Sequence, residues 1–322
     1  MTHEKLLDNI FLHYYNKNLQ ELEHNQDVEF AYYSSLEVIH YILTDGKIWL
    51  RNASCMNDWM EICRGQELFM KYFQVKENKC KFKEIFTQID HNFDWVGKIL
   101  QFIQDFPMSA SYDCYLASLT VHDKKSDDLG KLSMWRGYGR GIGGALIFNK
   151  QKILSQDIAG ISFSKVAYFT YEEFAENFNQ LLEDIELHVQ QLKGMDTQCI
   201  WQNLRRAVIF AIVSIKHPGF REEKEWRLLC FDSDTTKDKR FLDTEIVVIN
   251  GVPQRIYTLN IKKFLPALLD HAIIGPTQYG IAAYTALKDD ILKLYDDSNY
   301  IAEDLIRNKL KYSMIPIRPE CL

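Results

Sequence analysis

Residues 223–227 (EKEWR) lead into an apolar run and bring two carboxylates and an arginine close together in sequence. If they form an extended strand, Glu223, Glu225 and Arg227 share one face, because successive side chains of a strand alternate. Two carboxylates and a guanidinium are costly to bury for structure alone, yet they can stabilise a developing cation. The alternative is a solvated strand face with ion pairs across neighbouring strands.

A second cluster, residues 134–138 (MWRGY), comes before a glycine-rich segment. An aromatic ring can stack on a planar ligand, an arginine can pair with a phosphate, and glycines let the backbone approach closely. Trp135, Arg136 and Tyr138 are therefore candidates for contact with a planar, phosphate-bearing molecule. The alternative is that both rings cover the core beside a tight turn.

Tyr32, Tyr33 and Ser34 form a third cluster, at the predicted junction between a strand and a helix. Ser34 lies three residues before Glu37, which predicts a capping box, and Gly46 predicts the end of the helix. Free N–H groups at a helix start can receive a phosphate or ribose oxygen, and the two rings offer a stacking surface. Alternatively, this is an ordinary strand end with core tyrosines.

The elements that position these clusters alternate between β-rich runs and helical patterns, which predicts an α+β fold. No fixed-period repeat and no linker rich in Pro, Gly or Ser divides the sequence. We therefore predict a single domain over residues 1–322, with an N-terminal helix within 1–27 and helical insertions at 59–106 and 171–216.

Composition limits the classes of partner. The chain has 44 acidic and 38 basic residues, a net charge of −6, which argues against nucleic acid as the main partner, although residues 201–240 are locally basic. Seven cysteines form no Cys-x-x-Cys pair, so no metal site is expected. The N-terminus lacks a signal-peptide pattern, and the most apolar run, 207–215, is too short to span a bilayer. These features predict a cytoplasmic protein without a membrane partner.

Taken in order, the clusters resemble the bacterial family of domains of unknown function numbered 2971. Its members typically have a Tyr-His-Tyr-Thr-Ser segment, a Gly-Lys-Leu-Trp strand, an Asn-Asp loop, a Met-Trp-x-x-Tyr segment, a Glu-x-Glu-x-Arg strand and a late Ser-x-Ile-Pro-x-Arg. The corresponding segments here are 31–35 (AYYSS), 46–49 (GKIW), 57–58 (ND), 134–138 (MWRGY), 223–227 (EKEWR) and 313–318 (SMIPIR). The resemblance extends from about residue 28 to residue 318.

That family is similar in turn to the ADP-ribosyltransferase fold, a split, mixed β-structure that holds NAD in a cleft. The resemblance implies an ADP-ribosyltransferase or NAD glycohydrolase that cleaves the nicotinamide–ribose bond, with a toxin-like or phage-defence role. The acceptor stays open between a protein, a nucleic acid and water. The residues implied in catalysis are Glu225, Glu223 and Tyr138. Those implied in binding NAD are Tyr32, Tyr33, Ser34, Asn57, Asp58, Trp135, Arg136 and Arg227.

Tyr32 occupies the position at which the family usually has histidine. Tyrosine cannot supply the charge or the hydrogen bonds of an imidazole. A second hypothesis is therefore a non-catalytic module of the same fold that binds a nucleotide or regulates a partner.

Overall fold

The computed structural model describes residues 3–55, 60–139, 142–155, 161–231, 242–249, 251–295 and 302–316. Its helices are α1 (His3–Phe11), α2 (His13–His24), α3 (Leu36–Asp45), α4 (Met60–Gln74), α5 (Lys76–Ile89), α6 (Trp95–Asp113), α7 (Leu132–Tyr138), α8 (Lys150–Ser155), α9 (Tyr171–Leu187), α10 (Val189–Leu192), α11 (Thr197–Val213), α12 (Leu265–Leu268), α13 (Gly280–Leu294) and α14 (Ala302–Lys309). Its strands are β1 (Val28–Ser35), β2 (Lys47–Asn52), β3 (Cys114–Asp123), β4 (Gly143–Phe148), β5 (Ser162–Lys165), β6 (Glu225–Phe231), β7 (Leu242–Ile249), β8 (Val252–Asn260), β9 (Leu269–Ile274) and β10 (Leu310–Tyr312). Short 3-10 helices lie at Ala53–Cys55 and Pro218–Glu223.

The chain divides into two compact units. A helical unit contains Met1–Leu22, Asn52–Cys114 and Ser164–Arg221, and a sheet unit contains Glu23–Arg51, Tyr115–Phe163 and Glu222–Leu322. The segments predicted to be helical at the N-terminus and in both insertions are gathered in the helical unit.

Aromatic side chains account for the separate core of the helical unit. Phe69 and Tyr72 of α4 meet Phe174 and Phe178 of α9 edge-to-face, with ring centroids 4.7 to 6.3 Å apart. Edge-to-face pairs add to the free energy gained by burying the rings. The helices therefore bury their apolar faces against one another, and the segments predicted as insertions form a unit with its own core.

Ten strands of the described residues form one sheet in the order β10-β9-β4-β1-β3-β2-β8-β7, and β6 pairs with β3 and β5. The β9–β10 pair is parallel, whereas β1 pairs antiparallel with both β3 and β4. A mixed sheet together with many helices confirms the predicted α+β class. No helix in the described ranges is long and apolar enough to cross a bilayer.

The junction between β1 and α3 shows one correction to the predicted capping. Ser35, not Ser34, is the N-cap residue, and its hydroxyl accepts a hydrogen bond from the Val38 N–H at 3.4 Å. Ser34 is still within β1, opposite Gly144 of β4. Gly46 ends the helix with a φ of 68°, as predicted from its type.

Candidate functional site

Glu225 begins strand β6 directly after a strained residue. Lys224 has a φ of 46°, a left-handed conformation that is uncommon for residues other than glycine. Its carbonyl accepts a hydrogen bond from the Val121 N–H at 3.0 Å, which holds the strained residue against β3. Strain of this kind persists only where the surrounding structure enforces it, and it concentrates at functional sites.

Within the sheet unit, the Glu225 carboxylate accepts hydrogen bonds from the half-buried Ser118 and the buried Arg227. The Ser118 hydroxyl on β3 donates to Glu225 Oε1 at 2.5 Å, and Arg227 Nε donates to the same oxygen at 2.9 Å. The side chains of Glu225 and Arg227 are 4% and 3% exposed. Because burying two charges costs several kcal/mol before their attraction is counted, the pair depends on these hydrogen bonds. The result is a carboxylate fixed in one orientation.

Glu223 does not share a strand face with Glu225, which corrects the prediction that residues 223–227 are one extended strand. It is the last residue of the 3-10 helix, and the left-handed Lys224 separates it from β6. The Tyr138 hydroxyl nevertheless lies 3.4 Å from Glu223 Oε1 and can donate to it. Two of the predicted catalytic residues, Glu223 and Tyr138, are therefore close together, although Glu223 lies outside the strand.

Tyr33 and Trp135 pack together inside a hydrophobic cluster. Their rings meet edge-to-face at 4.8 Å, and the Tyr33 hydroxyl accepts a hydrogen bond from the Lys131 N–H at 3.0 Å. Burial raises the pKa of Tyr33 well above its usual value. The cluster continues through Ala31 and Ile273. Both rings are thus buried in the core, so we do not assign them a role in stacking on a ligand.

Tyr32 points to the opposite face of the sheet from Glu225. Ala31 lies opposite Thr120 in the β1–β3 register and shares the face of Tyr33. Ser118 is two residues from Thr120 on the same strand, so Ser118 and its partner Glu225 lie on that face too. The strand alternation therefore does not bring Tyr32 to Glu225, although the family resemblance implies that Tyr32 binds NAD and that Glu225 acts on it.

Tyr32 has its own charged neighbour in the sheet unit. Burial raises the pKa of Tyr32 to about 12, and the positive charge of Arg51 acts in the opposite direction. Arg136 is exposed in the last turn of α7, where it is accessible to an anion. Asn57 and Asp58 lie outside the described residues.

Ser118 belongs to this site, although the sequence did not predict it as a site residue. Its signal is weak, because a serine in the run YLASLT of a buried strand is typical of many strands. The role of this side chain can be recognised only once β3 is known to pair with β6, because that pairing places Ser118 beside Glu225. In the described ranges, no group of three or more His, Cys, Asp or Glu side chains is arranged to hold a metal ion.

The comparisons with known proteins agree with one part of the sequence analysis. Residues 134–228 match the model of a family described as protein of unknown function, DUF2971. The matched stretch contains both the 134–138 segment and the 223–227 segment, and it supports the resemblance to this family. No curated protein and no solved structure matches the chain.

Proposed function

We propose that the sheet unit is an ADP-ribosyltransferase-like core that consumes NAD by cleaving its nicotinamide–ribose bond, with Glu225 as the catalytic carboxylate. The observation that carries the proposal is the fixed carboxylate of Glu225, held by Ser118 and Arg227 after the strained Lys224. On the resemblance to the family, we extend the proposal to a cytoplasmic, toxin-like or phage-defence role.

The chemistry requires a negative charge close to the reacting ribose carbon. As the C1′–N bond breaks, nicotinamide leaves with the bonding electron pair and the ribose becomes oxocarbenium-like. A preorganised carboxylate stabilises that cation without reorganising, and contributions of this kind are worth about 10²–10³ in rate. The hydrogen bonds from Ser118 and Arg227 supply the preorganisation for Glu225.

The acceptor then forms the new bond at C1′ and loses a proton. Glu223, half-buried and within reach of the Tyr138 hydroxyl, is the candidate to receive that proton. The exposed guanidinium of Arg136 is the candidate partner for the pyrophosphate, since guanidinium pairs with phosphate in a bidentate geometry. A protein side chain, a nucleic acid or water can serve as the acceptor in this scheme.

Specific observations also favour the second candidate function, a module that binds a nucleotide without cleaving NAD. Tyr32 lies on the other sheet face from Glu225, and Tyr33 and Trp135 are committed to the core. The Glu225 carboxylate is already paired with Arg227. An ion pair that only stabilises the fold accounts for the contact between Glu225 and Arg227 without a catalytic role.

The deciding experiment follows nicotinamide release from NAD by the full chain and by Glu225→Gln. Glu222→Gln is the matched control, because Glu222 is exposed and close in sequence. We expect release by the native protein, a loss of about 10²-fold or more in Glu225→Gln, and no change in Glu222→Gln. Melting curves establish that each variant is folded.

Two other outcomes separate the hypotheses. Calorimetric binding of NAD without nicotinamide release by the native protein favours the binding module. Neither binding nor release overturns both proposals, and release that persists unchanged in Glu225→Gln removes Glu225 from the catalytic role.

A further inference from the structure

The helical unit contains a cavity of about 210 Å³ that the proposed function does not use. Rings dominate its wall, among them Phe11, Phe69, Phe169, Phe178 and Phe210. An apolar cavity of about 150 Å³ is enough to accept benzene. The cavity of this chain is therefore large enough for one aromatic ring with a short substituent.

Lys165 places a positively charged group at the wall of this cavity. Lys165 Nζ donates to Asn18 Oδ1 at 2.9 Å, and Asn18 is buried. The Asn18 amide is oriented by its own hydrogen bond from Nδ2 to the Tyr14 carbonyl at 2.6 Å, so its oxygen faces the lysine. An ammonium group has three N–H donors, and Asn18 uses one of them.

Lys165 is only partly exposed, and the ion pairs that the structure gives for the described residues of the helical unit do not include it. Two more basic side chains, His13 and Lys17, line the cavity from exposed positions. Asp184 is the one acidic residue in the lining, and His13 Nδ1 lies 3.8 Å from its Oδ2. Lys165 and Lys17 thus place two positive charges in the described lining against the one carboxylate of Asp184, and this balance favours an anion.

We propose that this cavity binds a small aromatic carboxylate, with the ring among the phenylalanines and the carboxylate on Lys165 Nζ. Transfer of the ring from water to the apolar wall lowers the free energy. The carboxylate gains a charge-assisted hydrogen bond, which is stronger than one between neutral groups. The ligand supplies the counter-charge that the described neighbours of Lys165 do not.

The test uses three probes of nearly equal shape and different charge: 3-phenylpropionate, 3-phenylpropanol and 3-phenylpropylamine. Calorimetric titration of the full chain should show the acid binding about tenfold or more tightly than the alcohol, and the amine binding most weakly. Lys165→Gln removes the charge and keeps an N–H donor for Asn18. It should remove the advantage of the acid and leave the affinity for the alcohol unchanged.

Two further variants serve as controls. One tests whether the loss of any lysine has the same effect, and the other tests whether the probes occupy this cavity. Lys193→Met removes an exposed lysine of the same unit and should change nothing. Ala211→Phe places a ring in the cavity wall and should weaken the acid and the alcohol alike. Tightest binding of the amine, with loss in Asp184→Asn, overturns the proposal in favour of a cationic ligand. Failure of all three probes to bind also overturns it.

Discussion

The Ser118 hydroxyl on β3 donates a hydrogen bond of 2.5 Å to the Glu225 carboxylate on β6. The two residues are 107 positions apart in sequence, and pairing of their strands brings them together. This contact, together with Arg227, fixes the orientation of the carboxylate on which the proposed chemistry depends.

Ser118→Ala should lower both stability and activity. The substitution leaves a buried charged acceptor with one donor fewer, which costs about 1–3 kcal/mol. We expect the free energy of unfolding in urea to fall by that amount and nicotinamide release to fall as well. Ser133→Ala, in α7, is the control, and its stability should stay within about 0.5 kcal/mol of the native protein. Equal stability of Ser118→Ala and the native protein would contradict the role given to this hydroxyl.

Lys224→Gly should relieve the strain beside Glu225. A residue other than glycine in a left-handed conformation costs about 1–2 kcal/mol, and glycine avoids this cost. Part of the gain is lost because glycine raises the entropy of the unfolded chain. The Lys224 side chain is exposed, so little packing is lost. We expect a rise of up to about 1 kcal/mol in the free energy of unfolding, and a fall for Lys224→Val, whose branched side chain fits this conformation worst. A fall in both variants would show that the left-handed conformation is not strained.

Tyr138→Phe and Tyr32→Phe should differ in their effect on activity. Tyr138 can donate to Glu223, whereas Tyr32 lies on the other sheet face from Glu225. If the proposed function holds, Tyr138→Phe should slow nicotinamide release about tenfold, the cost of one hydrogen bond to a charged group. Tyr32→Phe should stay within about twofold. The reverse order of effects would support the position assigned to Tyr32 by the family resemblance.

The sequence predicts local structure well because helices and strands leave signals within a few residues. The helix that ends at Gly46, the helical pattern of 171–216 and the apolar strand after Glu225 all have such signals. It does not predict the left-handed Lys224, since lysine rarely adopts that conformation. The turn at Lys224 changes which residues share a face, and so the predicted grouping of Glu223 with Glu225 and Arg227 was wrong.

The candidate site is harder to predict because its contacts are non-local. Trp135 next to Arg136 suggests a ligand surface, and only the packing of Trp135 on Tyr33 shows that the ring is part of the core. Ser118 belongs to the site because the pairing of β3 with β6 places it beside Glu225, and its own segment gives little indication of that role. In the same way, the sequence shows which faces of the helical insertions are apolar. It does not show which helices pack against those faces.

His122 should make the protein less stable in acid. Burial lowers the pKa of His122 to about 4, and the positive charges of His271, Lys131 and Lys311 act in the same direction, against Asp127. The unfolded chain has the ordinary histidine pKa of about 6.5, so between pH 6.5 and 4 it binds more protons than the folded one. Stability therefore falls as the pH falls through this range, by a total of about 3 kcal/mol.

The check for His122 compares urea unfolding at pH 7.5 and pH 4.5. His122→Asn should lose part of the acid sensitivity, whereas His91→Asn, at an exposed position, should retain all of it. Because other groups also titrate, the informative quantity is the difference between the two variants. An acid sensitivity that is the same in both would show that the buried imidazole does not control it.

Gly143 and Gly137 should respond in opposite ways to alanine, although both belong to the glycine-rich segment. A Cβ at Gly143 would lie 2.7 Å from the Gly139 Cα, a backbone atom that has little room to move. Nothing lies within 4 Å of a Cβ at Gly137, which is exposed in α7. Gly143→Ala should lower the free energy of unfolding by about 1–3 kcal/mol, since overpacking displaces backbone. Gly137→Ala should raise it by up to about 1 kcal/mol, because alanine favours a helix more than glycine does. Urea unfolding of the two variants side by side measures both effects, and a loss of equal size in both would contradict the close backbone approach at Gly143.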